Sequence, residues 1–268
     1  MLLFAILALS VLVSLRLDFD NRDRFFQNTV RDSPEAMQAF QKLAEVTPPT
    51  ASVFSWWDYG RAIEEFGERR AVVAYPSKDI LQSVGASQNP IYFTEMQLFG
   101  TYEPSSKIHD VARAFLLPED QALAIMRTYG ATHVMVFHGQ NDNGAFDDLQ
   151  KFVWIARIAG YNASDYVQGN FASPSTYKLT SKADQVTILR LLFDDRFPPQ
   201  HFTKLYENGV AKIYRIDYST PPSGASAEPV LSFPPSISTV VWQREAFVVR
   251  FLFAARGFGG CGRRGWPL

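Results

Sequence analysis

The chain has 268 residues, 47% of them hydrophobic, with 26 basic and 27 acidic side chains for a net charge of −1. This balance describes a folded protein with one main domain, and it excludes a polyelectrolyte and a basic nucleic-acid binder. One cysteine, Cys261, rules out an internal disulfide framework.

Met1 to Leu15 are apolar apart from two serines, and Arg16, Asp18 and Asp20 end the run. Fifteen helical residues span about 22 Å, short of the roughly 30 Å hydrocarbon core. No basic segment precedes the run and no small-residue cleavage site follows it, which argues against a signal peptide. Asp18-Phe19-Asp20 has the form of an Asp-x-Asp metal motif, but polar residues closing an apolar helix explain it as well.

Ser33-Pro34 reads as an N-cap with proline at the first helical position, predicting a helix from Pro34 to about Val46. Pro48-Pro49 then leads into a β-prone run, Ala51 to Phe54. Next comes Ser55-Trp56-Trp57-Asp58-Tyr59-Gly60, followed by a short helix from Arg61 to Phe66 that Gly67 can stop. The motif is therefore expected on a strand-to-helix turn, where side chains project from a rigid support. Two indole N–H donors beside one carboxylate form a small polar socket with apolar walls, suited to a hydroxyl.

Ala71 to Tyr75 reads as a second strand, and Pro76 to Ser106 as a mixed segment that could line a groove. Lys107 to Phe115 is helical in pattern, Pro118 opens another helix that Gly130 closes, and Thr132 to Phe137 is a strand. His138 to Gly144 is a loop leading to Asp147-Asp148-Leu149-Gln150-Lys151-Phe152-Val153-Trp154-Ile155. On a helix, Asp148, Lys151 and Ile155 lie within roughly 60° of one another and share a face that could close over the tryptophan pocket. Later pieces are Thr187 to Leu192, Phe202 to Tyr206 and Val210 to Ile216, the last two joined by a Glu207-Asn208-Gly209 hairpin turn. Strands alternating with helices predict an α/β fold, a mixed helical domain around a small, largely parallel sheet. His109, His133, His138 and His201 are isolated in sequence and read as core or surface residues rather than metal ligands. Asn162-Ala163-Ser164 is a glycosylation sequon of a kind that chance readily supplies. Ser219 to Ser238 contains five prolines and reads as a linker.

Trp56-Trp57-Asp58-Tyr59-Gly60 resembles the signature pentapeptide of the catalytic subunit of oligosaccharyltransferase, which moves a lipid-linked glycan onto asparagine in Asn-X-Ser/Thr sequons. Asp148, Lys151 and Ile155 are similar to the Asp-x-x-Lys-x-x-x-(Met/Ile) motif of the archaeal and eukaryotic members, and the likeness extends from about Ser33 to Tyr218. The resemblance implies that Trp56, Trp57 and Asp58 recognise the Ser/Thr hydroxyl at the +2 position. It implies that Lys151 and Ile155 belong to the same substrate-binding site, with Tyr59, Gly60 and Asp148 as support. Ile155 would meet the extra methyl of Thr, worth about 0.8 kcal/mol and so a few-fold preference over Ser.

The same resemblance implies a domain order. Residues 1–17 would end the last helix of a membrane domain, 18–218 would be an extracytoplasmic sequon-recognition domain, and 219–268 an irregular tail. Catalysis, the lipid-linked oligosaccharide and a divalent metal, Mg or Mn, would then belong to a membrane domain outside this chain, which by itself would bind no metal and turn nothing over. Arg61 stands where many members carry an aromatic residue, and no cluster of sequons follows Gly60. An archaeal or bacterial source is therefore expected. Two other classes fit the residues. One is a non-catalytic, membrane-anchored extracytoplasmic peptide-binding module using the same socket, and the other is a structural domain with a coincidental motif.

Overall fold

The computed structural model describes residues 2–23, 29–80, 98–139, 146–169 and 176–219. Met1–Ser223 form one compact unit, and the second unit, Gly224–Leu268, lies outside the described residues with the expected linker and tail. Most of the expected groove-lining segment from Pro76 to Ser106 and most of the loop after His138 lie outside them too.

Helix α1 covers Leu2–Asp23. Phe4, Ile6, Leu7, Leu9, Val11, Leu12, Val13 and Leu17 are all exposed on it. Among the described residues no helix is long and apolar enough to cross a membrane, so the transmembrane reading of 1–17 remains an expectation. The side chains of Asp18 and Asp20 fall outside the described set.

Helix α2, Pro34–Val46, begins as its cap predicts, with Ser33 Oγ accepting a hydrogen bond from the Ala36 N–H at 3.3 Å. Its apolar stripe of Ala36, Ala39, Phe40 and Leu43 is fully buried. Strand β1, Ser52–Phe54, helix α3, Trp57–Glu65, and strand β2, Arg70–Ala71, follow. Arg69 ties β2 to the end of α2, donating to Thr47 Oγ1 at 2.9 Å, to Thr47 O at 2.7 Å and to Ala44 O.

Helices α4, Ser105–Leu116, and α5, Glu119–Thr128, lead through Gly130, whose φ of +64° suits a residue without a Cβ, into strand β3, His133–Phe137. Helix α6 covers Asp148–Ile158, two short strands pair at β4, Val167–Gln168, and β5, Lys178–Leu179, and helix α7 covers Thr187–Leu192. Strands β6, Phe202–Glu207, and β7, Ala211–Ile216, complete the main sheet.

That sheet has the order β2-β1-β3-β7-β6. The first three strands run parallel, while β7 pairs antiparallel with both β3 and β6. The sheet is thus mixed rather than largely parallel, because the Asn208-Gly209 hairpin returns β7 against β3. Asn208 Oδ1 holds that turn by accepting from the N–H groups of Val210 and Ala211. All residues of β1 and β3 are buried, the pattern of strands covered on both faces. A charge cluster centred on buried Lys212 clamps the hairpin. Lys212 Nζ lies 2.6 Å from Asp194 Oδ1 and donates to Leu192 O, while Lys204 reaches Asp194 Oδ2 at 2.8 Å.

Candidate functional site

The first motif leaves β1 at the centre of the parallel strands. Ser55 Oγ donates to Met135 O on β3 at 2.8 Å, fixing where the chain turns. Helix α3 then starts at Trp57, earlier than the expected Arg61, so the motif forms the first turn of the helix rather than a free turn. Trp56 is its N-cap, with extended backbone and no side-chain cap, and the residue is buried in the core. Trp57 is half-buried against that core.

Gly60 has a purely steric reason. A Cβ there would stand 1.9 Å from Val73 O and 2.5 Å from Ala74 Cα, both backbone atoms. The residue lets α3 lie directly on the segment after β2. Tyr59, expected as support for the motif, is fully buried and stacks on Phe137 of β3, with centroids 3.9 Å apart and planes at 25°.

The second motif comes to the same place. Asp147 caps α6, its Oδ1 accepting from the N–H groups of Leu149 and Gln150. Asp148 is buried, and its Oδ2 accepts from the Phe137 N–H at 2.8 Å. One turn on, Lys151 Nζ lies 2.9 Å from Asp58 Oδ2, donates to the Tyr59 hydroxyl at 2.9 Å and stands 4.0 Å from the Tyr59 ring centroid. Lys151 therefore joins half-buried Asp58 to buried Tyr59, and Asp148 is tied to β3 through the Phe137 amide. Ile155, on the same helix face, is wholly buried in the hydrophobic core.

Within this arrangement Asp58 uses only half of its carboxylate. Oδ2 takes the Lys151 ammonium, whereas Oδ1 is shielded and has no donor among the described residues. The Asp58 side chain keeps 18% of its surface exposed. Burial pushes the Asp148 carboxyl up to about 7, against the opposing pull of Lys151, the Phe137 amide and Tyr59. Burial also raises Asp147, and it pushes the Tyr59 hydroxyl well above its ordinary range, helped by Asp148 and Asp58. Chemically, this is a fixed carboxylate with one free acceptor, suited to receiving a hydrogen bond from a hydroxyl.

Among the described residues no group of three or more His, Cys, Asp or Glu side chains could hold a metal ion. His133 and His201 are buried, and His201 Nε2 lies 3.0 Å from Asp120 Oδ1. His109 bridges Asp79 and the Ile158 carbonyl at the surface. Asn162 caps a short 3-10 turn with its side chain.

No protein-family profile matches the chain. Over 123 residues it is 28% identical to the dolichyl-diphosphooligosaccharide–protein glycosyltransferase subunit STT3B of Oryza sativa subsp. japonica, covering 46% of this chain and 14% of that protein. Over 152 residues it is 25% identical to subunit stt3 of Schizosaccharomyces pombe, covering 56% of this chain and 17% of that protein. The chain thus spans only about a sixth of the length of these relatives. Two crystal structures of the C-terminal globular domain of oligosaccharyltransferase from Archaeoglobus fulgidus also align. Their TM-scores are 0.42 and 0.39 at 18% and 22% identity, over 69% of this chain and 98% and 94% of theirs. Over about half of its length, the chain is a homologue of the STT3 subunits of oligosaccharyltransferase.

Proposed function

We propose that this chain is the sequon-recognition part of an oligosaccharyltransferase and that Asp58 Oδ1 accepts a hydrogen bond from the Ser or Thr hydroxyl at the +2 position. The observation that carries this reading is the division of labour at Asp58, with Oδ2 held by Lys151 and Oδ1 left without a donor among the described residues. A hydrogen bond to a charged acceptor is worth about 1.5–3 kcal/mol, and a shielded carboxylate oxygen with no donor gains it in full. Half-buried Trp57 supplies an apolar wall, and buried Trp56 fixes the start of the helix that carries Asp58. Lys151 contributes by holding Asp58, since its own ammonium is already engaged.

In this reading the domain orients the acceptor asparagine without touching the bond that breaks. A carboxamide nitrogen is a poor nucleophile, so fixing its position removes an orientational cost from the reaction. The lipid-linked oligosaccharide, the divalent metal and the catalytic acids would lie outside the described residues, in a membrane-embedded part of the whole protein, with this domain on the extracytoplasmic side.

The test is binding of an end-blocked Asn-Ala-Thr peptide to the full chain, compared with Asn-Ala-Val. Loss of one hydrogen bond to a carboxylate should weaken the Val peptide roughly tenfold or more. Asp58→Ala, which removes the acceptor, should erase the difference. Equal affinity for the two peptides in the wild-type chain would reject the proposal.

A further inference from the structure

The triplet Asn162-Ala163-Ser164 follows the end of α6 and opens the 3-10 turn Ala163–Asp165. Asn162 and Ser164 are both exposed, and Ala163 between them is buried. The turn is closed by the backbone, with the Asp165 N–H donating to Asn162 O at 3.1 Å and the Tyr166 N–H to Ala163 O at 3.0 Å. Asn162 Oδ1 adds a third bond by accepting from the Ser164 N–H at 3.2 Å.

That third bond divides the Asn162 side chain into two ends with different duties. A backbone N–H can only donate, so the end facing Ser164 must be the carbonyl oxygen, and the amide nitrogen Nδ2 is the end that the turn does not use. Among the described residues Nδ2 donates to none, and the residue that carries it faces solvent. An asparagine two positions before a serine, with a residue other than proline between, has the form of an acceptor for an N-linked glycan. Attachment at Nδ2 leaves Oδ1 an amide oxygen, so a modified Asn162 still caps its turn. Buried Ala163 pins the middle of the triplet in the folded domain, so the transfer belongs to the chain before this turn closes.

We propose that Asn162 is an N-glycosylation site of this chain, its Nδ2 carrying an oligosaccharide outward while Oδ1 holds the turn. In the transfer Nδ2 bonds to the anomeric carbon of a lipid-linked oligosaccharide, the bond from that carbon to the phosphate oxygen breaks, the lipid phosphate leaves with the electron pair, and Nδ2 gives up one proton. The acceptor must face the glycosylating side of a membrane, so the assignment rests on the extracytoplasmic placement proposed above and is independent of the Asp58 socket.

The experiment uses the full chain isolated from the cells that make it. Its tryptic peptide 158–178 carries this sequon alone, and mass spectrometry of that peptide should find a glycan on Asn162. Ser164→Ala keeps the backbone donor and Asn162 itself, and should abolish the glycan. Asn162→Asp keeps an acceptor for the Ser164 N–H, and should abolish it too. A comparator reads the placement of the domain. Lys182→Asn combined with Asp184→Ser builds the same triplet on the 3-10 turn Ala183–Gln185, where both substituted positions are exposed. A glycan on the comparator but none at Asn162, or one at Asn162 that survives Ser164→Ala, overturns the assignment and leaves the extracytoplasmic placement standing. No glycan at either place overturns that placement and the assignment with it, while the Thr and Val peptides still read the Asp58 socket separately.

Discussion

Lys151→Met isolates the cost of removing the cation that faces one half-buried carboxylate, Asp58, and pulls on one buried carboxylate, Asp148. The substitution keeps a side chain of similar length and removes the ammonium that stands 2.9 Å from Asp58 Oδ2 and 2.9 Å from the Tyr59 hydroxyl. Lys151 is 7% exposed and Asp148 1%, so water cannot readily take its place. Deleting one partner of a buried pair costs about 3–5 kcal/mol. The cost should also depend on pH, with a defined sign. Folded Asp148 keeps its proton up to about 7, whereas an unfolded aspartate releases it near 3.8. Between those values the folded state binds the extra proton, so stability falls as pH rises. Lys151 pulls Asp148 downward, and without it the loss continues past pH 7. At pH 5 Asp148 is protonated with or without Lys151, and each further pH unit over which only the variant keeps that proton adds about 1.4 kcal/mol. Guanidinium unfolding of the full chain at pH 5, 6.5 and 8 should therefore show a penalty that grows by about 1–2 kcal/mol across the series. A penalty that is flat, or smaller at pH 8, would refute the charge accounting.

Two further predictions concern the frame. Gly60→Ala places a methyl against the backbone of Val73 and Ala74, so α3 must lift; we expect about 3 kcal/mol of destabilisation, the top of the overpacking range, read as a lower denaturation midpoint. Asp194→Ala leaves buried Lys212 with the Leu192 carbonyl at 3.0 Å and Glu207 at 3.4 Å, and should cost about 3 kcal/mol at neutral pH. Because Lys204 and Lys212 hold Asp194 down to about 2, its contribution is present above the unfolded value near 4 and is lost as pH falls toward 2. An acid titration followed by circular dichroism should show a shallower loss between pH 4 and 2 in the variant.

What the sequence makes legible here is what local chemistry decides. Ser33-Pro34 marks the start of α2, and Asn208-Gly209 marks the β6–β7 hairpin, because in each case the residue that fixes the backbone is in the segment itself. The start of α3 is not legible, since Trp56 caps it by backbone geometry alone and offers no side-chain signature. Ala71 to Tyr75 has the composition of a strand, yet pairing ends at Ala71. The next residues are needed as the floor beneath Gly60.

The site divides along the same line. Helical spacing places Asp148, Lys151 and Ile155 on one face, but it does not say that the lysine crosses to α3 while the isoleucine stays in the core. Phe137 is the second meeting point of the motifs. Its ring carries Tyr59 and its amide carries Asp148, so one residue of β3 sets the positions of a tyrosine from the first motif and an aspartate from the second. Lys151 then closes the gap between the motifs, bonded to Tyr59 from 92 positions away along the chain. Neither motif can therefore hold its geometry alone. Damage to Lys151 should register at Asp58, and a test of either motif must read the other.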